Sequence, residues 1–300
     1  MLQSATMTTP RALVLAAALL AGCTPLEAPP APLQPIPGLT PPRSTTDISD
    51  DEPGPELRIT ALAIAFAAAD VLPLIAGRPA PDAFTRHVSP PLRDALAPAA
   101  ARVRIRRDSD ILDHHAHMRV LADRATPFAT LGDALFTATK AGFTSFALTV
   151  QDDHQRRNQS FGVPLAWFDY DRDIKISRPV EVLLRVRPDA VLASVAGGAE
   201  HTIPNRTACD PPPAGCHDLA AITDFAARTK ELLPNEVVVT LRVADELPLQ
   251  AVVAVIDAVR GPGCRLSRAV KGEKVPDDCL FWQPILDRDP PLRFTSDVAE

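Results

Sequence analysis

Met118-Arg-Val-Leu-Ala-Asp123 followed by Pro127-Phe128, and Thr240-Leu-Arg-Val-Ala-Asp245 followed by Pro248-Leu249, are two renderings of one pattern. Each apolar run reads as a strand that stops at Ala-Asp, where the aspartate is placed to cap the turn that follows. A helix is expected to begin at or just after each proline, whose fixed φ suits a first turn. Leu131, Ala134, Leu135, Ala138 and Ala141 recur at helical spacing in the first copy, and Val252, Val255, Ile256 and Val259 do so in the second. Gly142 and Gly263, equally distant from their prolines, are the expected helix stops.

The segments around these stretches correspond as well. Residues 57–74 read as a strand-rich hairpin region broken at 67–70, and 179–196 read similarly, with Val180, Val182, Leu184 and Val186 alternating before Pro188-Asp189. Each is followed by a helical candidate, 81–99 (interrupted by Pro90-Pro91) and 217–233, and a strand is expected at 145–150. The predicted fold is α+β: two tandem units ordered strand-strand-helix-strand-helix-strand, each a small mixed sheet with helices on one face. The expected domains are 57–150 and 179–290, joined by a connector at 151–178 and followed by a tail at 291–300.

The amino-terminal region has a different character. Leu20-Ala21-Gly22-Cys23 follows an uncharged run, 12–21, that is preceded by Arg11. This is the layout of a signal peptide, 1–22, ending at a bacterial lipobox, with Cys23 as the lipidated residue. The apolar run is too short to cross a hydrocarbon core of ~30 Å. Residues 23–56 carry Pro29-Pro30, Pro41-Pro42 and several further prolines beside an acidic patch. They read as a lipid anchor and a disordered, extended tether. Thr24 behind the anchor points to the outer rather than the inner membrane, with the body facing the periplasm.

The chain has 300 residues, a formal charge of −6 and 46% apolar residues. That is enough for a sizeable core, and a mildly acidic chain without a long basic run is no nucleic-acid binder. Beyond Cys23 there are four cysteines, Cys209, Cys216, Cys264 and Cys279. In an oxidising compartment they read as disulfides, and the local pairs Cys209–Cys216 and Cys264–Cys279 are favoured over a zinc site including His217.

The second unit resembles a known family. Glu181-Val-Leu-Leu-Arg-Val-Arg-Pro-Asp189, Glu236-Val-Val-Val-Thr-Leu-Arg-Val-Ala-Asp245 and Pro248-Leu-Gln-Ala-Val-Val-Ala-Val-Ile-Asp257 look like the periplasmic domain of ExbD/TolR biopolymer-transport proteins. The first unit is similar to a more divergent copy. The resemblance implies a non-enzymatic envelope protein, an accessory of biopolymer-transport or energy-transduction machinery. Its implied partners are proteins of an ExbB/ExbD/TonB-like or Tol-like system, or peptidoglycan. Family members carry a transmembrane helix with an aspartate involved in proton use; residues 12–22 are too short for such a helix and contain no acidic residue.

Among chemistry-bearing motifs, Asp113-His114-His115-Ala116-His117 is the metal candidate. On a strand His115 and His117 share a face, where two imidazoles ligate zinc or copper. This gives the alternative reading, an exported metal-binding protein or metal-dependent enzyme using His114–His117. The bland reading, an exposed polar start to the following strand, is preferred, so no metal or cofactor is expected. Asp123 and Asp245 are read as turn caps rather than as an acid–base pair. No Gly-x-Ser-x-Gly elbow or phosphate loop is present, and His87 and His201 stand isolated in sequence, so no catalytic set is assigned.

Overall fold

The computed structural model describes residues 39–46, 54–107, 116–152, 158–165, 181–206, 216–266 and 278–291. Its first half comprises β1 (Arg43–Ser44), β2 (Glu56–Ile59), β3 (Ala63–Phe66), β4 (Ala69–Ile75), β5 (Arg78–Pro79), α1 (Pro90–Arg107), β6 (His117–Ala122), α2 (Phe128–Ala141), β7 (Ser145–Asp152) and β8 (Asn158–Gly162). The second half comprises β9 (Val182–Val186), β10 (Ala190–Val195), β11 (His201–Pro204), α3 (Leu219–Leu232), β12 (Val238–Ala244), α4 (Leu249–Arg260) and β13 (Gln283–Asp289). The architecture is α+β with two mixed sheets.

The two sheets share one strand order. β7-β6-β2-β3-β4 in the first matches β13-β12-β9-β10-β11 in the second. In both, the first two pairings along this order are parallel and the last two antiparallel. Parallel neighbours need a crossover: α2 supplies it between β6 and β7 and α4 between β12 and β13, while α1 and α3 lie in the crossovers from β2 to β6 and from β9 to β12. In β12 the pattern has period two: Val239, Leu241 and Val243 are buried while Thr240 and Arg242 are half-exposed. A single hydrophobic cluster runs through both halves, including Met118, Phe128 and Phe146 from the first and Leu241, Val252 and Phe281 from the second. Full burial of a side chain of this size contributes ~1.5–3 kcal/mol.

Several sequence expectations need correction. Residues 57–74 hold three strands rather than one hairpin, because a tight turn closed by Thr60 and Ala63 divides β2 from β3, and the second half adds β11 before its first helix. β4 follows a two-residue turn at Ala67-Ala68, both at positive φ. The turn falls at the break expected at 67–70, although turns of that type prefer Asn-Gly to an alanine pair. Helix α1 begins at Pro90 rather than being interrupted there, because prolines in a first turn cost no hydrogen bond. α4 stops at Arg260 with Gly261 at its cap, before the predicted Gly263, because Pro262 cannot continue a helix. The region assigned as connector holds the end of β7, then β8, and Leu165, which bridges to Leu286 of β13.

The tether assignment is corrected at its carboxy-terminal end. Residues 39–46 lie ordered on the body, and β1 pairs in parallel with β7 through Arg43–Gln151 and Ser44–Asp152. The physical reason is a set of specific hydrogen bonds, described below, which low hydrophobicity in the sequence does not reveal.

Candidate functional site at the junction of the two halves

The halves meet at their repeated turns. Pro127 and Pro248 face each other in an antiparallel bridge. Neither proline caps its helix with a side chain. Instead the first backbone N–H groups of each helix donate across the junction. Phe128 and Ala129 donate to Leu247 O and Asp245 O at 2.8 and 3.0 Å, and Leu249 and Gln250 donate to Thr126 O and Arg124 O at 2.9 Å each. The groups that a helix start leaves orphaned are thus satisfied reciprocally by the opposite half. This exchange makes Arg124, not Asp123, the counterpart of Asp245. Asp123 does cap its turn, accepting from Ala125 N at 2.8 Å. Asp245 serves differently, as a partner of Arg288.

Arg288, near the end of β13, has a side chain only 7% exposed. Its Nε and Nη2 donate to Asp245 Oδ1 and Oδ2 at 2.8 and 2.6 Å, a bidentate pair. Its Nη1 reaches Asp133 Oδ1 of α2 and His87 Nδ1, the latter at 2.9 Å. His87 Nδ1 also lies 2.8 Å from Asp133 Oδ1. Arginine only donates, so a neutral His87 with its proton on Nε2 accepts from Arg288; a proton on Nδ1 turns that nitrogen toward Asp133. Burial pushes the Asp133 carboxyl above the ordinary carboxylate range, with the Arg288 charge and the His87 hydrogen bond opposing it. For Arg288 burial acts to lower the pKa, and the Asp245 and Asp133 contacts outweigh it and raise it.

The backbone holding His87 is strained. Arg86 and His87 have φ of 47° and 67°, inside a tight turn closed by Thr85 and Val88. Non-glycine residues held there cost ~1–3 kcal/mol each and cluster at functional sites. An open pocket of about 300 Å³ lies beside the turn, lined by Pro79, Pro81, Phe84, Arg86, His87 and Asp133. Its lining offers apolar walls, an imidazole and a carboxylate.

The second polar cluster lies where residues 39–46 cross the junction. Thr40 N donates to Asp123 Oδ2 at 2.8 Å, and Arg43 exchanges two hydrogen bonds with the Gln250 side chain at 2.8 and 3.1 Å. Asp257 of α4 is 7% exposed. It accepts from Ser44 Oγ, Thr45 N and Thr46 Oγ1 at 2.8, 2.8 and 2.7 Å. Burial pushes the Asp257 carboxyl above its usual range, opposed by these three donors and by the Arg260 charge. Arg260 is 2% exposed, lies over the Phe161 ring at 4.7 Å, and is pushed down to about 10 by burial, with Asp257 opposing.

The residues singled out from sequence fall as follows. Cys23, Cys209, Asp113, His114 and His115 lie outside the described residues. Cys264 and Cys279 are joined by a disulfide with their Cα atoms 4.4 Å apart, and Cys216 is disulfide-bonded. His217 is buried with Nε2 2.7 Å from Arg187 O. His117 is not an exposed strand start: it is buried on β6, with Nδ1 3.1 Å from Ser145 Oγ. Among the described residues no group of three or more His, Cys, Asp or Glu side chains is placed to hold a metal, and no helix is long and apolar enough to cross a membrane. Sequence reasoning missed Arg288, Asp133 and Asp257. The one available signal was Gly132 within an apolar helix pattern, which marks a close approach.

The fold and junction define an α+β protein with two mixed sheets whose halves cap one another. Comparison of the chain with protein-family models, with curated proteins and with solved structures found no match.

Proposed function

We propose that the protein is a non-enzymatic, lipid-anchored component of the bacterial envelope. In this reading it is an accessory of ExbD/TolR-type biopolymer-transport or energy-transduction machinery, binding a protein partner or peptidoglycan from the periplasmic side. The observation that supports it is the strand order that five strands of each half share, together with their reciprocal helix capping. In the family that the sequence resembles, periplasmic domains associate in pairs; one chain carrying two copies has an internal pair. The lipobox ending at Cys23 supports the anchor, and Thr24 the outer membrane.

The test has two arms. Cys23→Ser is expected to abolish labelling by a fatty-acid precursor and to release the protein from the membrane fraction. Crosslinking in native envelopes is expected to join the wild-type chain to a component of an ExbB/ExbD/TonB-like or Tol-like system, or to peptidoglycan. Retained label would remove the anchor, and absence of both kinds of crosslink would remove the partner assignment.

A further inference from the structure

We propose that the groove crossed by residues 40–46 is a peptide-recognition site, and that this segment is its resident, displaceable ligand. The displacing ligand is an extended partner segment with proline and small hydroxyl residues at alternate positions. The inference goes beyond the envelope reading and does not depend on it.

The segment is held as a bound peptide would be. Pro42, Ser44 and Thr46 are buried while Arg43 and Thr45 are exposed, the period-two pattern of an added strand. Its backbone is read along its length: Arg124 N donates to Thr40 O at 2.7 Å, and Gln151 N donates to Pro42 O at 2.8 Å. The Gln250 amide reads both backbone groups of Arg43. Main-chain bonds give such a mode its affinity, and pockets for alternate side chains give specificity. Here the pocket is the Asp257 carboxylate. Its Oδ1 accepts both hydroxyls and its Oδ2 accepts the intervening N–H. Alanine at either hydroxyl position would leave a buried acceptor short of a donor, so the groove selects serine or threonine there.

The hold is also suited to exchange. β1 has two residues, and the contacts that fix 43–46 are hydrogen bonds that water or another peptide can replace. Both halves contribute: Asp123, Arg124 and Gln151 come from the first, Gln250 and Asp257 from the second. Occupancy of the groove is therefore read at the junction itself, next to the turns that cap α2 and α4.

The test uses the full chain and a fluorescent peptide of its own sequence from Thr40 to Asp47, Thr-Pro-Pro-Arg-Ser-Thr-Thr-Asp. Ser44→Ala/Thr46→Ala weakens the resident segment without touching the groove. This variant is expected to bind the peptide at least about tenfold more tightly than the wild type, the equivalent of one to two hydrogen bonds. Adding Asp257→Asn is expected to reverse the gain, and a peptide with alanine at the two buried hydroxyl positions is expected not to compete. A folded double variant that binds no better than wild type, or equal competition by the alanine peptide, would overturn the proposal. Hydrogen exchange on the wild type decides the matter independently of any variant's folding. Saturating peptide should unprotect the chain's own Arg43 and Thr45 amides and leave β12 protected; unchanged protection at both amides would overturn it.

Discussion

Pro127 and Pro248 face each other across an antiparallel bridge, and the helix that follows each proline is capped by the carbonyls that precede the other. Proline within a first helical turn is ordinarily tolerated, because the N–H it lacks has no intrahelical partner. At Ala129 the N–H has a partner across the junction, Asp245 O. Ala129→Pro is therefore expected to destabilise the protein by about 1–2 kcal/mol. The matching change at the exposed second residue of α3, Ala220→Pro, is expected to cost less than about half of that. Urea unfolding of both variants checks the difference.

Gly132 gives way to Arg288. A Cβ built on Gly132 would lie 3.1 Å from Arg288 Cδ. Glycine inside a helix costs ~0.5–1 kcal/mol relative to alanine, so propensity alone makes Gly132→Ala stabilising. The Arg288 fork is pinned by Asp245 and Asp133 and cannot shift cheaply. The expected outcome is a net loss of about 1 kcal/mol, with a larger loss for Gly132→Val. In an Arg288→Ala background the sign at Gly132→Ala should turn favourable, which a double-mutant cycle reads directly.

Arg288→Ala leaves Asp133 buried without its main counter-charge. Removing one partner of a buried pair costs ~3–5 kcal/mol, and the partial exposure of Asp245 places the expectation near the lower end. Asp133→Asn in the same chain should recover part of the loss. Equal stability of the single and double variants would mean that Asp133 is already protonated in the folded protein.

The Cys264–Cys279 disulfide closes a loop of 15 residues. Loop closure of that length stabilises by ~3 kcal/mol. Replacing both cysteines with alanine is expected to lower the melting temperature by roughly 6–12 °C for a body of this size, measured under non-reducing conditions. Added reductant also opens the disulfide at Cys216 in both proteins, so it should cost the wild type more than the variant, by about this same loss.

Asp257 sets a pH dependence. Its pKa is raised on folding, mainly by burial. Between the ordinary carboxylate value and the raised one, the folded protein keeps a proton that the unfolded chain has released, so this group's contribution to stability falls as pH rises. Asp257→Asn removes the titration. The stability of wild type minus that of the variant is expected to be greatest at acid pH and to decline toward neutrality, levelling once the pH exceeds the raised value. A difference that grows with pH would show that the three donors from residues 44–46 outweigh burial.

The strand and helix elements around 117–141 and 238–260 are determined locally. Apolar periodicity, a proline at each helix start and a glycine at each stop are contained within a few consecutive residues, and local sterics act on them without knowledge of the rest of the chain. The α+β class followed from that pattern. The break at Ala67-Ala68 was expected as well, but the tight turn at Arg86-His87 was not, because this pair at positive φ carries no Asn-Gly signal; the surrounding structure imposes the conformation. The polar sites were hidden for a different reason. Asp257 and Ser44, or Arg288 and Asp133, lie far apart in sequence, and each looks like an ordinary surface residue in its own segment. Only packing the two halves together excludes water from them, and only then does an exposed charge become a buried carboxylate that must find donors. The segment 39–46 shows the same division: its composition determines that it cannot form a core of its own, and the tertiary structure alone supplies the groove that orders it.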